Sequence, residues 1–185
     1  MQTRPTCMHI ETARLVIRTS EPRDAQAWLA MINDPQVKRF LPAGPDMTLD
    51  SYTGVLERRR KMEEERGYTL WSVELKETGA FIGQCGLFPA EGKGPEIEIA
   101  YHYNTASWNK GYGTEAAIAV LDHAFRSVGL DDVIAIVMPG NVGSCRVVEK
   151  AGMRFTGLAT YYHLPDLRRY EAQRVSWTPP QRSTA

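Results

Sequence analysis

The chain has 185 residues, of which 43% are hydrophobic and 24% charged, as is ordinary for one globular domain with a sizeable core. Its 22 Lys and Arg residues balance its 22 Asp and Glu residues. No overall electrostatic field therefore draws the chain to nucleic acid or to an anionic membrane.

Periodicity and breaker residues predict a chain in which helices and strands are mixed. It begins with one strand and three helical segments, at 14–18, 21–32, 37–40 and 49–66. An antiparallel meander follows, with strands at 68–76, 81–88 and 97–103. A helix, a buried strand, a second helix and two closing strands complete the order, at 114–128, 133–137, 141–150, 155–161 and 170–177.

This order predicts a single α/β (α+β) domain over residues 1–178 and a disordered tail over residues 179–185. A meander followed by strand–helix–strand units gives one mixed sheet, mostly antiparallel. We expect about seven strands, with helices on both faces of the sheet.

Cysteine usage and apolar runs bear on the compartment. Cys7, Cys85 and Cys145 are odd in number and widely spaced, which favours neither a disulfide framework nor a zinc site. The first residues lack the apolar segment of a signal peptide, and no apolar run is long enough to cross a bilayer. We therefore expect a cytoplasmic protein without metal, membrane or nucleic-acid partners. The basic run 58–61 is interpreted as a solvated helix face, because glutamates flank it.

The most informative local pattern is a glycine-rich turn, Trp108-Asn109-Lys110-Gly111-Tyr112-Gly113-Thr114-Glu115. It opens an amphipathic helix, so unpaired backbone N–H groups coincide with the positive end of the helix dipole. This arrangement predicts a phosphate cradle. The turn lacks the lysine position of a Walker loop and fits the dinucleotide fingerprint only in part. The alternative is an ordinary turn, ended by glycine, that binds no phosphate.

Four segments, taken in order, resemble the Gcn5-related N-acetyltransferase (GNAT) superfamily, and within it the branch that contains RimJ and RimL. The segments are residues 12–18, 98–101, 108–116 and 141–153. The resemblance covers about residues 12–177 and implies the GNAT fold, in which two central strands splay apart. The chain departs from the family pattern at Trp108, Ala100, Met153 and Val148. Val148 stands where many members carry a tyrosine as general acid.

The resemblance implies that acetyl-CoA is the co-substrate, and no metal is expected. Backbone N–H groups of the glycine-rich turn would hold the pyrophosphate, with added charge from the Lys110 side chain. The turn residues concerned are Asn109, Lys110, Gly111, Tyr112, Gly113 and Thr114. Backbone groups of Ala100, Tyr101 and His102 would face the pantetheine arm and the thioester. Asn141 would cap its helix and bind the same arm.

Glu98 is the expected general base, and Ser144 is expected to assist the leaving thiolate. Glu96 is the rival base, because it lies on the same face of the strand two residues earlier. His102 is interpreted as a partly exposed histidine rather than as a base. For Ser144 the alternative is a serine that hydrogen-bonds the local backbone.

The acceptor is expected to be a primary amine, either a protein N-terminal α-amine or a small molecule. Near the last two strands, Tyr161, Tyr162 and His163 would shape its pocket. The early helices would contribute core or rim residues, namely Trp28, Met31 and Phe40. A homodimer is compatible with the sequence, and a non-catalytic acyl-CoA-binding protein is the alternative function.

Overall fold

The structure, a computed structural model, describes residues 8–180. In that part of the chain one eight-stranded sheet runs in the order β1-β2-β3-β4-β5-β6-β8-β7. Its strands are β1 (His9–Glu11), β2 (Leu15–Arg18), β3 (Leu70–Leu75), β4 (Phe81–Pro89), β5 (Ile97–Tyr103), β6 (Asp132–Val137), β7 (Arg154–Tyr161) and β8 (Leu164–Gln173). The helices are α1 (Ala25–Ile32), α2 (Pro35–Lys38), α3 (Leu49–Arg66), α4 (Tyr112–His123) and α5 (Val142–Lys150).

Every predicted helix and strand is present, with one additional strand. That strand, β1, pairs antiparallel with β2 and is three residues long, too short for a period-two pattern to mark it. The helix predicted over 114–128 begins at Tyr112 and continues past His123 as a π-helical turn, Ala124–Val128. Of the predicted disordered tail, residues 181–185 lie outside the described residues, as does Cys7.

The prediction for the last strand, 170–177, was wrong by about six residues at its start and four at its end, because β8 is Leu164–Gln173. Tyr161 pairs with Leu164, so Tyr162 and His163 alone form the hairpin turn. Both have positive φ, 53° and 60°. Turns of this kind usually carry Asn or Gly, and neither stands here. No residue typical of a hairpin turn therefore marks this position.

The core forms two clusters on either side of the sheet. The larger one lies under α4, whose predicted buried face is confirmed for Ala117, Leu121, Ala124 and Phe125, while Val128 is half-buried. The smaller one joins α1 and α3 and contains Ala25, Trp28, Met31, Tyr52 and Leu56. Trp28 and Met31 thus belong to the core. Helices cover both faces, as the sequence predicts.

The two central strands β5 and β6 run parallel but pair only at Glu98 and Ile134. On its other side, β5 pairs with β4 from Ile97 to Tyr103. Within the described residues, the backbone on the β6 side of β5 therefore has no strand partner beyond Glu98. This separation is the splay that the resemblance implies, and it opens the sheet between Ala100–His102 and the end of β6.

Glu115 fastens the start of α4 to the segment before β2. Its carboxylate accepts hydrogen bonds from the Thr12 hydroxyl (2.6 Å), the Arg14 backbone N–H (2.9 Å) and Arg14 Nε (2.7 Å). Arg14 also donates to the carbonyl of Lys110 at 3.0 Å. Burial alone raises the pKa of Glu115, but the hydrogen bonds from Thr12 and Arg14 outweigh it and lower that pKa. The glycine-rich turn is thereby held against the sheet.

Replacing Glu115 by Gln is expected to lower the free energy of unfolding by about 1–2 kcal/mol at pH 7, because charge-assisted hydrogen bonds are lost. The pKa of Glu115 is depressed in the folded state, so its contribution exists above the unfolded pKa and disappears as pH falls through the folded pKa. Urea unfolding at pH 7 and pH 3 measures this difference. Glu57→Gln, at an exposed position, serves as the control. An equal loss of unfolding free energy in both variants would contradict the stabilising role given to the hydrogen bonds of Glu115.

Candidate functional site

Two cavities meet in the splay between β5 and β6. The first has a volume of about 240 Å³ and contains Glu98; we name it the Glu98 cavity. The second, about 500 Å³, lies between the start of α4 and the start of α5; we name it the α4 cleft. Five residues line both of them: Phe40, Tyr101, His102, Asn141 and Ser144. A molecule in one cavity therefore reaches the other at this junction.

The α4 cleft offers a row of free backbone donors. Within residues 8–180, the N–H groups from Asn109 to Thr114 donate no hydrogen bond, and the first bonded one belongs to Glu115. Gly111 caps the helix in the left-handed conformation, with φ 79°. This is the arrangement that the glycine-rich turn predicts, and it suits an anion at the helix start.

Gly113 serves a different purpose from Gly111. Its backbone is helical, but a Cβ built on it would lie 3.3 Å from Cγ2 of Val147 and 3.4 Å from Cε2 of Tyr103. The contact with Val147 is tighter than ordinary van der Waals packing, and the contact with Tyr103 lies at its lower limit. The missing side chain therefore lets α4 approach α5 and β5 closely, which narrows the floor of the cleft.

The charged lining of the cleft differs from the sequence expectation. Lys110 does not line it, although its carbonyl helps to hold the turn through Arg14. Three other basic residues do: Arg39, Arg146 and Lys150. Arg146 and Lys150 are four residues apart on α5 and so share a helix face, a spacing that sequence reasoning overlooked.

The start of α5 brings Asn141 and Ser144 to the junction. Asn141 Oδ1 accepts a hydrogen bond from the Ser144 N–H at 3.1 Å, the predicted cap. The Ser144 hydroxyl lies 2.8 Å from the Tyr101 hydroxyl on β5. Its hydrogen-bond partner is therefore across the splay rather than in the local backbone. Burial raises the pKa of Tyr101, so its phenol stays protonated.

Glu98 lies where β5 and β6 part, and its side chain faces the Glu98 cavity. The residue is 5% exposed. Burial raises the pKa of Glu98 to about 7, although hydrogen bonds from the Tyr162 hydroxyl and the Ile136 backbone act in the opposite direction. The Tyr162 hydroxyl donates to Glu98 Oε2 at 2.5 Å. Glu98 thus changes charge close to neutral pH.

Glu96 is a different kind of carboxylate. It accepts hydrogen bonds from the Tyr161 hydroxyl (2.6 Å) and from Arg169 Nη2 (2.9 Å), and it does not line the Glu98 cavity. Burial alone raises the pKa of Glu96, but Tyr161 and Arg169 outweigh it and lower that pKa. The structure therefore places Glu98 in the cavity and leaves Glu96 in an ion pair outside its lining.

His102 is half-buried and carries its proton on Nε2. Gln84 Oε1 accepts hydrogen bonds from Trp28 Nε1 (2.9 Å) and Arg59 Nη2 (2.5 Å), so the Gln84 amide must present its NH₂ group to His102 Nδ1, 2.8 Å away. Nδ1 is then the acceptor. Burial, with the charge of Arg59 nearby, lowers the pKa of His102 to about 4. A ring in this state has no free lone pair for an incoming proton.

Arg59 corrects the interpretation of the basic run 58–61. Arg58, Arg60 and Lys61 are exposed, as expected, but Arg59 is half-buried and points inward. It donates to the Ser20 hydroxyl at 3.2 Å as well as to Gln84. The run is therefore a solvated helix face with one member built into the support of His102.

The hairpin between β7 and β8 contributes Tyr162 but not His163. The backbone N–H of Tyr162 donates to Glu91 Oε1 at 2.7 Å, and its side chain lines the Glu98 cavity. His163 is exposed and lines neither cavity. Sequence reasoning placed this hairpin near the pocket but missed the bond from Tyr162 to Glu98, because local spacing carries no information about partners 64 residues apart.

The family of this chain is shown by its match to a family model. A model described as an acetyltransferase (GNAT) domain matches residues 14–154. The chain belongs to the GNAT acetyltransferase family. It is accordingly an acetyl-CoA-dependent N-acetyltransferase, and the family named from its sequence motifs is confirmed.

Relatives agree with this classification. The acetyltransferase is 33% identical to a protein named uncharacterized N-acetyltransferase YnaD, from Bacillus subtilis, over 81% of this chain and 85% of that one. A GNAT-family acetyltransferase from Bacillus anthracis is 28% identical, with a TM-score of 0.77 over 91% of this chain and all of the other. RimJ of Mycobacterium smegmatis, solved with CoA-disulfide, is 24% identical with a TM-score of 0.72 over 86% and 81% of the two chains. The last is a likeness of fold alone.

Among residues 8–180 no helix is long and apolar enough to cross a membrane. Nor does this part of the chain group three or more His, Cys, Asp or Glu side chains as a metal ion would require.

Exchanging Glu98 for Gln is expected to stabilise the acetyltransferase at alkaline pH and to leave it unchanged at acid pH. The folded pKa, about 7, lies above the ordinary 4.5, so the folded protein holds a proton that the unfolded chain releases between these pH values. The wild type therefore loses stability across this window, by about 3 kcal/mol at most. Thermal unfolding at pH 4.5 and pH 8 measures the effect.

Glu96→Gln is the matched control for that measurement. The pKa of Glu96 is lowered rather than raised, so this variant should lose stability at pH 8 instead of gaining it. If both variants shift in the same direction at pH 8, the contrast between the two carboxylates is wrong.

Proposed function

We propose that this acetyltransferase transfers the acetyl group directly from acetyl-CoA to a primary amine at the junction of its two cavities. The observation that carries the proposal is that the α4 cleft and the Glu98 cavity share Tyr101, His102 and Ser144. One cavity has the features of a donor site and the other contains a buried carboxylate. Donor and acceptor would therefore meet without an intermediate on the protein.

The donor fits the α4 cleft through charge and backbone hydrogen bonding. The free N–H groups from Asn109 to Thr114 would hold the pyrophosphate, and Arg146 and Lys150 would add positive charge nearby. The unpaired side of Ala100–His102 would bond the amides of the pantetheine arm, as an added strand does. Asn141 would contribute at the other side of the arm. The thioester then arrives beside Ser144.

The reaction needs one proton acceptor and one hydrogen-bond donor. The amine nitrogen attacks the thioester carbon, the C–N bond forms, the C–S bond breaks, and the amine proton passes to Glu98. The Ser144 hydroxyl would hydrogen-bond the departing thiolate, with the Tyr101 phenol 2.8 Å behind it. Return of the proton from Glu98 through solvent yields the amide, the free thiol of CoA and the carboxylate.

Glu98 is suited to this task by its surroundings. A base works best when its pKa lies near the working pH, and the pKa of Glu98 is raised to about 7. His102 has no lone pair available, and Glu96 is held by Arg169. An α-amine with a pKa of about 7.7–8.0 or an alkylamine with one near 10.4 must lose a proton before or during attack.

Glu98→Gln is expected to retain acetyl-CoA binding while kcat/KM falls by about 10²–10⁴, the usual contribution of a general base. CoA release measures turnover, and calorimetry measures binding. Glu57→Gln, at an exposed position of α3, is the control and should match the wild type. Undiminished turnover in Glu98→Gln would remove Glu98 as the base. Binding without CoA release from any amine, in the wild type, would favour the non-catalytic acyl-CoA-binding protein.

Tyr162→Phe is expected to move the acid limb of the kcat/KM profile to a pH about one higher, because the hydrogen bond that favours the carboxylate is lost. Activity rises with pH through the pKa of Glu98, since only the carboxylate accepts a proton. Tyr161→Phe removes an analogous bond to Glu96 and should leave the limb in place. An equal shift in both variants, or no shift in either, would show that ionisation of Glu98 does not set the acid limb of the profile.

A further inference from the structure

The Glu98 cavity is lined mainly by apolar side chains that remain half-buried. They come from five places in the fold: the segment after α2, and β3, β4, β6 and β8. Those that bear most on the argument are Phe40, Leu41, Leu70, Phe88, Ile136 and Leu164. Most apolar side chains of a folded protein that lie in a concavity are buried against one another. A concave apolar surface that stays accessible is therefore typical of a ligand pocket.

Among residues 8–180, Glu98 is the single carboxylate in that lining. His102 is neutral because its pKa is lowered, and the Tyr162 phenol is occupied with Glu98. The neighbouring carboxylate, Glu96, is compensated by Arg169. One ammonium group in this cavity can therefore pair with the Glu98 carboxylate. A second ammonium group would lose its hydration without gaining an ion pair, which is energetically costly.

The volume limits the body that the amine can carry. The cavity measures about 240 Å³. A dry apolar cavity of about 150 Å³ is enough for benzene. The remaining space suits a short chain that carries the amine to the junction. An aminated sugar or a long polyamine would extend beyond this space and bring several charges with it.

We propose that the acceptor is a small primary monoamine with a compact apolar body, aliphatic or aryl, of roughly six to ten non-hydrogen atoms. This inference rests on the proposed function. The body lies against Leu41, Phe88 and Leu164, and the nitrogen lies at Glu98, from where it attacks the thioester. A peptide fits less well, because the carbonyl and N–H that follow its α-amine would enter the apolar lining largely unpaired.

The test follows CoA release from the wild-type protein with acetyl-CoA and four amines: 2-phenylethylamine, spermidine, kanamycin and a tetrapeptide with a free N-terminus. The proposal expects kcat/KM for 2-phenylethylamine to exceed each of the others by about 100-fold or more. A tenfold preference for spermidine, kanamycin or the peptide would overturn it while leaving acetyl transfer intact. Absence of CoA release with every amine would instead reject the proposed function, and this inference with it.

A charge placed in the cavity provides a second readout. Leu41→Asp adds a carboxylate on an irregular segment and should reduce the preference for 2-phenylethylamine over spermidine by at least about tenfold, through KM. Leu158→Asp is the control, because Leu158 is 60% exposed on β7 and lines neither cavity. An unchanged preference in Leu41→Asp, with normal acetyl-CoA binding, would contradict the apolar acceptor.

Discussion

Strands β5 and β6 share a single bridge, at Glu98 and Ile134, and separate beyond it. A buried backbone without partners is costly, so other elements must hold such a gap open, and water or a ligand must bond its free groups. On one face, the Tyr101 hydroxyl bonds Ser144 at the start of α5. On the other, Tyr162 bonds Glu98 from the β7–β8 hairpin. Both cavities, and the junction at which donor and acceptor are proposed to meet, follow from this separation.

The same separation explains why two carboxylates on one strand face behave differently. Glu96 lies before the bridge, where Arg169 of β8 is near enough to form an ion pair. Glu98 lies at the bridge, where apolar residues surround it and its partner is a neutral phenol. Environments of this kind push the pKa values of similar groups apart, which is how a protein assigns them different tasks at one pH.

Much of the fold follows from local signals in the sequence. Thr48 caps α3 and Gly67 ends it in the left-handed conformation, so the predicted bounds 49–66 are the observed ones. The glycine-rich turn likewise predicts the free donors at α4. Local signals could not reveal partners that meet only in the folded chain, such as Tyr162 with Glu98 or Gln84 with His102. The start of β8 was missed because its turn uses residues that seldom adopt positive φ.

The position of β8 bears on how the Glu98 cavity is formed. Among residues 8–180 this strand is the last, yet it lies inside the sheet, between β6 and β7. Leu164 and Leu167 of β8 line the Glu98 cavity together with Ile136 of β6, and Tyr162 reaches Glu98 from the turn that leads into β8. One wall of the cavity and the hydrogen-bond partner of its carboxylate therefore both depend on the pairing of β8 with β6. Loss of that pairing would remove both together.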